Sequence, residues 1–476
     1  MKPPRMVLGL LVLAALPASA DDHLDQVLER MMADAHLPGL ASVIVRGDEP
    51  IWQQDYGWAD LDDQIPVTDS TSFMLASISK TFVGTALMQL WEDDAFELDD
   101  PINDYLDFPV TNVFHPDVAI TFRHLLTHAS SIKGDFHPDG LDIPPFTWGY
   151  DHPMTLGEFL PEFFVRGGDH YHDTNYNDYP PGTEFDYSSV ATALIAYLVE
   201  RLSGQTFEDY CREHIFLPLG MEDTSWFLAN INLANHASHY TWENNQYVEW
   251  PPRGTPIYPC GWLKTSALHL TPYLIAYMNG GMVNGVRILE EATVDSMQTV
   301  QYPDMEVYFA NMRWGLMTCE YTLDDRILWG HEGGSLGVTT LMYYCLEEEN
   351  GAIMLSNGMD PNCMIGVVGD LLDYALQAAS VPDLETRILF ENHPNPFYGI
   401  TRVRFQLTRE GPVRLGVYDL TGRVVRSLIQ GIRPAGIHDI DWDGADDSGQ
   451  RVDSGVYLFR LDAGRQQLIR KVTLVK

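Results

Sequence analysis

A serine and a lysine three residues apart form the first candidate reactive pair in the chain. Ser77 and Lys80 directly precede the apolar run of residues 82–91, whose spacing predicts a helix. Residues at positions i and i+3 share one helix face, and the first helical turn favours developing negative charge through the helix dipole. A buried lysine that has lost its charge can accept the proton of a serine hydroxyl. The pair therefore predicts a nucleophile and its base; the alternative is a polar first turn on a core helix.

A second segment with the same spacing, Ser130-Ser-Ile-Lys133, competes with this pair. It follows a predicted helix end and runs into Gly134-Asp135, which favours a loop with no helix dipole behind it. Lysine is also rare, since only four lysines precede residue 388. Helix placement therefore favours Ser77 as the nucleophile.

Hydrolysis also needs a second proton carrier and a site for the oxyanion. Tyr187, in Tyr187-Ser-Ser189, precedes a core helix predicted within residues 182–203 and can relay a proton beside a lysine; the alternative is a packed tyrosine. The glycine-rich segment 330–334 lies between apolar strands and contains His331. Glycines let backbone N–H groups approach a ligand closely, although a bulge or tight turn is the alternative here.

The order of the predicted helices and strands that carry these residues indicates an α+β fold for residues 21–380. Strands near both ends enclose helices, which favours one antiparallel sheet flanked by terminal helices, with a helical subdomain. Asn350-Gly351 predicts the hairpin turn between the last two strands, and residues 133–181 are predicted to be a long insertion over the site. The pattern predicts helices at 24–35 and 365–379, and strands at 41–46, 51–58, 327–329, 339–346 and 352–356.

The charge of the chain is distributed unevenly. The 476 residues carry a net charge of −38, but residues 388–476 hold 13 Lys and Arg against 10 Asp and Glu, a net charge of +3, and the remainder carries −41. This asymmetry predicts a body of residues 21–380, a linker at 381–387 and a C-terminal domain at 388–476. Short alternating strands predict a small β-sandwich for that domain. The acidic body disfavours nucleic acid and anionic membrane surfaces as partners.

Residues 1–20 are typical of a secretory signal peptide. Lys2 and Arg5 supply positive charge, residues 7–16 are apolar, and Ala18-Ser-Ala20 suits cleavage. No later apolar stretch is long enough to span a bilayer. We therefore expect a secreted, cell-surface or periplasmic protein without membrane insertion.

Cysteine and histidine patterns do not favour a metal site. Five cysteines cannot all pair internally, and Cys345 falls in an apolar strand, which predicts a small buried hydrophobe. His124 and His128 have helical i, i+4 spacing but no third ligand nearby, so structural roles are favoured. His170-x-His172-Asp173 is predicted to belong to a solvated loop, with a cation site as the alternative. We expect neither a metal nor another cofactor.

Taken together, the candidate motifs resemble those of a known family. Ser77-x-x-Lys80, Tyr187-x-Ser189 and His331-x-Gly333 are similar, in order and spacing, to the three active-site motifs of the serine β-lactamase and penicillin-binding superfamily, in its class C-like branch. The resemblance covers roughly residues 22–378. Further similar segments are residues 120–128, 181–183, 217–224 and 261–266.

The resemblance implies a role for each motif. It implies that Ser77 is the acylated nucleophile, that Lys80 is its proton partner, and that Tyr187 is the general base and the acid for the leaving group. The backbone N–H groups of Ser77 and Gly334 would form the oxyanion hole, and Ser189, His331 and Gly333 would line the substrate site.

Two departures from the family pattern bear on the substrate. Ser189 stands where the second motif often has Asn, and His331-Glu-Gly333 stands where true β-lactamases have Lys-Thr-Gly. An anionic β-lactam or a C-terminal D-Ala carboxylate thereby loses an anchor worth about 1–3 kcal/mol. Lys264-Thr-Ser266 is no substitute, because it precedes a predicted helix rather than lying on the final strands.

The expected function is an exported serine hydrolase that cleaves an ester or amide bond of a small molecule or peptide through a Ser77 acyl-enzyme. The third motif favours an esterase or D-amino-acid peptidase. The alternatives are a true β-lactamase or DD-carboxypeptidase, and a non-catalytic surface-binding protein that retains the fold.

The C-terminal segment resembles a FlgD-type immunoglobulin-like domain. The similar segments are residues 392–397, 417–423, 441–444 and 454–457. Such tails serve as sorting modules for type IX secretion, which implies export machinery as a partner. Carboxylates at 441, 443, 446 and 447 are predicted to cap a turn, with calcium binding as the alternative.

Overall fold

The fold is described from a computed structural model of the chain. It describes residues 20–135, 146–360, 364–380, 390–407, 411–419, 423–434, 436–463 and 466–475. The predicted linker and nearly all of the predicted signal peptide lie outside these residues. The chain divides into two compact units, Met1–Leu376 and Gln377–Lys476. No helix in the described ranges is long and apolar enough to cross a membrane.

The first unit is built on an eight-stranded antiparallel sheet, as predicted. The strand order is β12-β13-β14-β15-β16-β1-β2-β3, so the N-terminal hairpin pairs with the last strand of the unit. The sixteen described strands of this unit are β1 Gly39–Arg46, β2 Glu49–Asp60, β3 Ile65–Pro66, β4 Phe73–Met74, β5 Thr147–Trp148, β6 His239–Glu243, β7 Gln246–Trp250, β8 Arg253–Gly254, β9 Lys264–Thr265, β10 Met282–Val283, β11 Val286–Arg287, β12 Met312–Trp314, β13 Cys319–Leu323, β14 Arg326–Ser335, β15 Val338–Cys345 and β16 Asn350–Ser356.

Helices cover both faces of the sheet, which explains why β15 and β16 are buried along their whole length. Tyr374 of the closing helix contacts Trp52 on β2, and the Tyr56 hydroxyl on β2 donates to Asp25 on the first helix. The described helices are α1 Ala20–Asp34, α2 Ser79–Glu92, α3 Phe122–Leu126, α4 Leu156–Phe164, α5 Ser189–Ser203, α6 Phe207–Cys211, α7 Ala267–Met278, α8 Glu291–Met297 and α9 Val368–Ser380.

The predicted Asn-Gly turn is wrong. The turn occupies residues 346–349, Glu349 has a positive φ of 52°, and Asn350 already pairs with Cys345 in the ladder. Gly351 lies where α7 crosses the sheet, and a Cβ there would be 3.1 Å from Met278 Sδ. Gly351 therefore packs closely against α7 inside the strand, and the turn lies before it, at residues 346–349.

The predicted insertion contains a helix that the sequence analysis missed. In α4, the Thr155 side chain caps the Glu158 N–H while the Glu158 carboxylate accepts from the Thr155 N–H. This reciprocal capping box is visible in the sequence as Thr-x-x-Glu ahead of apolar residues and is the signal that would have found the helix.

The helical subdomain holds the first candidate motif rigidly. Ser77 lies on a 3-10 turn, Ala76–Ile78, that leads directly into α2. Helix α2 is buried on nearly all sides and packs against α5. Phe82 stacks on Tyr273 of α7 with ring centroids 3.9 Å apart, which ties α2 to the helix that crosses the sheet.

Strand β14 and the Ser77 turn approach each other without room for a side chain. A Cβ at Gly333 would lie 2.4 Å from the Leu75 carbonyl oxygen and 3.0 Å from Ala76 Cβ. The Thr340 hydroxyl on β15 donates to the same Leu75 carbonyl at 2.7 Å. The sheet therefore contacts the backbone directly before the nucleophile candidate.

The second unit is an all-β fold of two antiparallel sheets, as predicted. Its strands are β17 Phe390–His393, β18 Thr401–Leu407, β19 Gly411–Tyr418, β20 Val424–Arg433, β21 Gly436–Trp442, β22 Gly455–Ala463 and β23 Gln466–Leu474. The sheet orders are β17-β18-β21 and β20-β19-β22-β23. Asp446 accepts hydrogen bonds from Ser448 and Gln450, and Asp441 pairs with Arg402. The aspartates thus cap a turn and form ion pairs.

We predict that Gly333→Ala lowers the free energy of unfolding of the first unit by about 1–3 kcal/mol, because the new methyl group clashes with backbone that cannot move aside. The matched control is Gly334→Ala, since a Cβ at Gly334 would meet no atom within 4 Å. Urea denaturation of the whole chain measures both. Equal stability of the two variants would contradict the contact described above.

Candidate active site

Ser77 stands on strained backbone. The residue before it, Ala76, has a positive φ of 46°, in the left-handed region that a non-glycine residue rarely adopts. Ala76 is buried and packs with Met74, Val338 and Trp262. Strain of this kind persists only where the surroundings enforce it, and it is frequent at functional sites.

Lys80 is buried beside Ser77. Its side chain is 1% exposed, and Nζ donates to Ser77 Oγ at 3.1 Å and to the Cys260 carbonyl oxygen at 2.7 Å. Burial lowers the pKa of the Lys80 amine, while Cys260 and the negative charge of Asp135 act in the opposite direction. The geometry predicted for Ser77 and Lys80 is therefore present.

Tyr187 completes a three-residue cluster. The Lys80 Nζ lies 4.8 Å from the centroid of the Tyr187 ring. Burial raises the pKa of Tyr187 well above its usual value, and the Ser77 side chain partly offsets this rise. Tyr187 lies just ahead of Ser188, whose side chain caps α5, and its N–H donates to the Tyr308 hydroxyl at 2.9 Å.

The His128 ring packs against the Tyr187 ring. The two rings are 4.4 Å apart between centroids, and Nδ1 of His128 accepts from the Ser188 N–H at 3.3 Å. Burial lowers the pKa of His128 well below its usual value, so the imidazole is neutral. His124 caps α3 by accepting from the Thr121 N–H. The structural roles predicted for both histidines are confirmed.

Asp135 is a member of the cluster that the sequence analysis missed. Its two carboxylate oxygens accept from the Ser189 N–H at 2.9 Å and from the Ser189 hydroxyl at 2.5 Å. The Asp135 N–H donates to the Tyr187 carbonyl oxygen at 2.7 Å. The Ser189 hydroxyl, which we expected to line the substrate site, is therefore bonded to a carboxylate from the insertion.

The competing segment at 130–133 is a loop, as predicted. Ser130 and Lys133 are buried, the Lys133 N–H donates to the Asn175 carbonyl oxygen, and Ser130 Oγ accepts from the Ile132 N–H. Lys264 lies on β9, and its Nζ donates to the carbonyl oxygens of Trp226 and Trp262. Neither residues 130–133 nor residues 264–266 lie on β14, the strand that carries the third motif.

The third motif lies within β14 rather than in a turn. His331 is buried, its ring centroid is 6.1 Å from that of Tyr187, and burial lowers its pKa to about 4. Gly333 faces the Ser77 turn, and Gly334 is exposed with open space beside it. The structure thus brings His331, Gly333 and Gly334 to the same place as Ser77, with a neutral imidazole in the first position.

Metal-binding geometry does not occur in the described part of the chain, which contains no group of three or more His, Cys, Asp or Glu side chains arranged to hold an ion. His170 packs on Phe159 with ring centroids 5.5 Å apart. The described cysteines 211, 260, 319 and 345 are buried free thiols, so Cys345 is the buried residue that was predicted.

The first unit has the serine β-lactamase-family hydrolase fold. The chain belongs to the Beta-lactamase family, whose model matches residues 24–364, and residues 397–467 match the FlgD Ig-like domain. These matches confirm both resemblances inferred from the motifs.

Individual relatives are distant. The chain is 25% identical over 257 residues to "Putative penicillin-binding protein PbpX" of Bacillus subtilis, covering 54% of this chain but only 59% of that protein's length. The octameric penicillin-binding protein homologue from Pyrococcus abyssi superposes with a TM-score of 0.60 at 20% identity, covering 94% of this chain and 99% of that one. The D-amino acid amidase from Ochrobactrum anthropi SV3 gives a TM-score of 0.60 at 21% identity, covering 76% and 100%.

We predict that fluorophosphonate labels Ser77 more slowly as the pH falls, and that Asp135→Asn moves this decrease in rate, the acid limb of the pH profile, to lower pH. The carboxylate stabilises the Lys80 ammonium and raises its pKa, so its removal lowers that pKa and leaves more neutral amine at acidic pH. The measurement is the rate of adduct formation, followed by intact mass at a series of pH values. The control is Glu332→Gln, a half-buried carboxylate that does not act on the pKa of Lys80. An unchanged limb, or a shift to higher pH, would refute the role of Asp135.

Proposed function

We propose that the protein is a serine hydrolase that cleaves ester or amide bonds through an acyl-enzyme on Ser77. The observation that carries the proposal is a cluster of three groups at Ser77: Lys80 Nζ donates to Ser77 Oγ at 3.1 Å and lies 4.8 Å from the centroid of the Tyr187 ring. A nucleophile beside two proton carriers is the arrangement that acyl transfer requires.

The directions of the pKa shifts support a division of roles. Burial favours the neutral amine of Lys80 and the neutral phenol of Tyr187, so Lys80 is the better base and Tyr187 the better acid. Ser77 Oγ attacks the carbonyl carbon and passes its proton to Lys80. Tyr187 donates a proton to the leaving group as the bond breaks and regains one from Lys80. Water then attacks the acyl carbon and gives a proton to the same pair. The bond from that carbon to Ser77 Oγ breaks, and Ser77 Oγ regains a proton from the pair as the acid product leaves.

The oxyanion formed in each step needs backbone donors. The N–H groups of Ser77 and Gly334 are the proposed pair, because Gly333 packs against the Ser77 turn and Gly334 is open to a ligand. In this arrangement the strained backbone at Ala76 and the contact between β14 and the Ser77 turn fix the two N–H groups relative to each other before substrate binds.

The third motif favours esters or simple amides over β-lactams. His331 is a neutral imidazole with a pKa of about 4, so it offers no cation to a substrate carboxylate at neutral pH. The fold shared with a D-amino acid amidase is compatible with this preference. A β-lactamase or DD-carboxypeptidase activity, or binding without catalysis, is tested by the same experiment.

We expect a fluorophosphonate to form one adduct on the wild-type protein and none on Ser77→Ala. Tyr187→Phe and Lys80→Ala should lower turnover of a short-chain p-nitrophenyl ester by at least about 100-fold, because each removes a proton carrier. The matched control is Ser130→Ala, in the segment of identical spacing, which should label like the wild type.

Nitrocefin separates the alternatives in that experiment. Turnover of the ester with little turnover of nitrocefin supports the proposal, and efficient nitrocefin turnover would favour the β-lactamase alternative. Absence of both adduct and turnover would leave a non-catalytic binding protein.

We further propose that the chain is exported and that its FlgD-like unit acts as a sorting module. The composition of residues 1–20 and the FlgD Ig-like match support this. N-terminal sequencing of the protein expressed in its own host should find Asp21 as the first residue; an intact Met1 would contradict export by cleavage.

A further inference from the structure

A guanidinium group lies at the end of the strand that carries the third motif. Arg253, on β8, donates from Nη2 to Ser335 Oγ at 2.7 Å. Ser335 directly follows Gly334 on β14, and successive strand residues are about 3.3 Å apart. Arg253 is therefore held a short distance from the proposed oxyanion donor.

Aromatic rings fix Arg253 in this position. Its guanidinium carbon lies 4.9 Å from the ring centroid of Phe146 and 5.6 Å from that of Trp148, and Trp148 is its partner in the β5–β8 ladder. Phe146 in turn contacts Trp262, with centroids 5.9 Å apart, and Trp262 packs on Ala76 beside the nucleophile. An aromatic wall thus runs from Ser77 to Arg253.

Arg253 is partly buried but has no ionic partner among the described residues. Arg313 pairs with Glu320, and Arg326 pairs with Glu348, whereas Arg253 is half-buried and bonded to a neutral hydroxyl. Burial lowers the pKa of Arg253 with no carboxylate opposing it. A partly desolvated charge without a partner is unfavourable. The lack of a partner is unexpected here, because residues 1–387 carry a net charge of −41.

The position of Arg253 along β14 assigns it to one half of the substrate. Tyr187, the proposed acid for the leaving group, lies beside His331, three residues before Gly334. Arg253 is bonded one residue after Gly334. A substrate carbonyl seated at Gly334 therefore directs its leaving group toward His331 and its acyl chain toward Arg253.

We propose that Arg253 binds a carboxylate on the acyl half of the substrate, so that the preferred substrates are singly esterified or amidated dicarboxylic acids, or other acyl groups ending in an anion. This assignment rests on the proposed function. The aromatic wall would cover the methylene chain of such an acyl group, and the guanidinium would bind its terminal oxygens.

A pair of esters differing only in charge tests the assignment. Mono-p-nitrophenyl adipate carries a free carboxylate, and its methyl ester is the neutral match. We expect the wild type to have a kcat/KM about 10- to 100-fold higher for the anion, mainly through KM. Arg253→Gln should bring the ratio of the two values close to one, Arg253→Lys should restore part of it, and 0.5 M NaCl should reduce it.

The control variant is Arg30→Gln, which removes the same charge from the exposed surface of α1 and should keep the wild-type ratio. A wild-type ratio near one, or an equal loss on both esters in Arg253→Gln, would overturn the assignment while leaving the hydrolase intact. Absence of turnover of both esters together with absence of a fluorophosphonate adduct would instead overturn the proposed function, and this assignment with it.

Discussion

The direct contact between β14 and the Ser77 turn is the constraint on which the site depends. Gly333 meets the Leu75 carbonyl without space for a methyl group, and Thr340 donates to that same carbonyl. Strand β14 is hydrogen-bonded through β15 and β16 to β1, so the sheet as a whole determines the position of the Ser77 turn. Helix α2 starts at the end of that turn and delivers Lys80. Ser77 therefore lies where the sheet contacts the helical subdomain.

Burial determines the electrostatics of the site more than any single charge does. It lowers the pKa of Lys80, His128 and His331 and raises that of Tyr187, so each group is driven toward its neutral form. Asp135 acts against this trend at Lys80, and its carboxylate is itself held by Ser189. A neutral Lys80 amine can accept a proton and a neutral Tyr187 phenol can donate one, so burial places both groups in the protonation states that the proposed mechanism needs.

Local patterns predicted the parts of the molecule that depend on local forces. The buried strands, the loop at 130–133 and the placement of Ser77 beside Lys80 follow from periodicity and turn signals, and all are present. Ser77 itself lies on the 3-10 turn before α2 rather than in the first turn of that helix. The Asn-Gly turn was wrong because Asn350 and Gly351 both pair with β15 inside the strand, where Gly351 packs against α7. Asp135 and Arg253 were missed for another reason: their hydrogen-bond partners are 54 and 82 residues away in the sequence, and only the folded chain brings each pair together.

The position of Arg253 also bears on how an acidic protein can accept an anionic substrate. The net charge of the body opposes such a ligand, but charges farther away than about 8 Å are largely screened at physiological ionic strength. A guanidinium held by Ser335 and two aromatic rings acts at contact distance, where the attraction between charges is greatest and desolvation strengthens it. The loss of a cation at the third motif and the presence of one at the far end of the same strand then have a single consequence. The charge preference of the site moves from the leaving group to the acyl group.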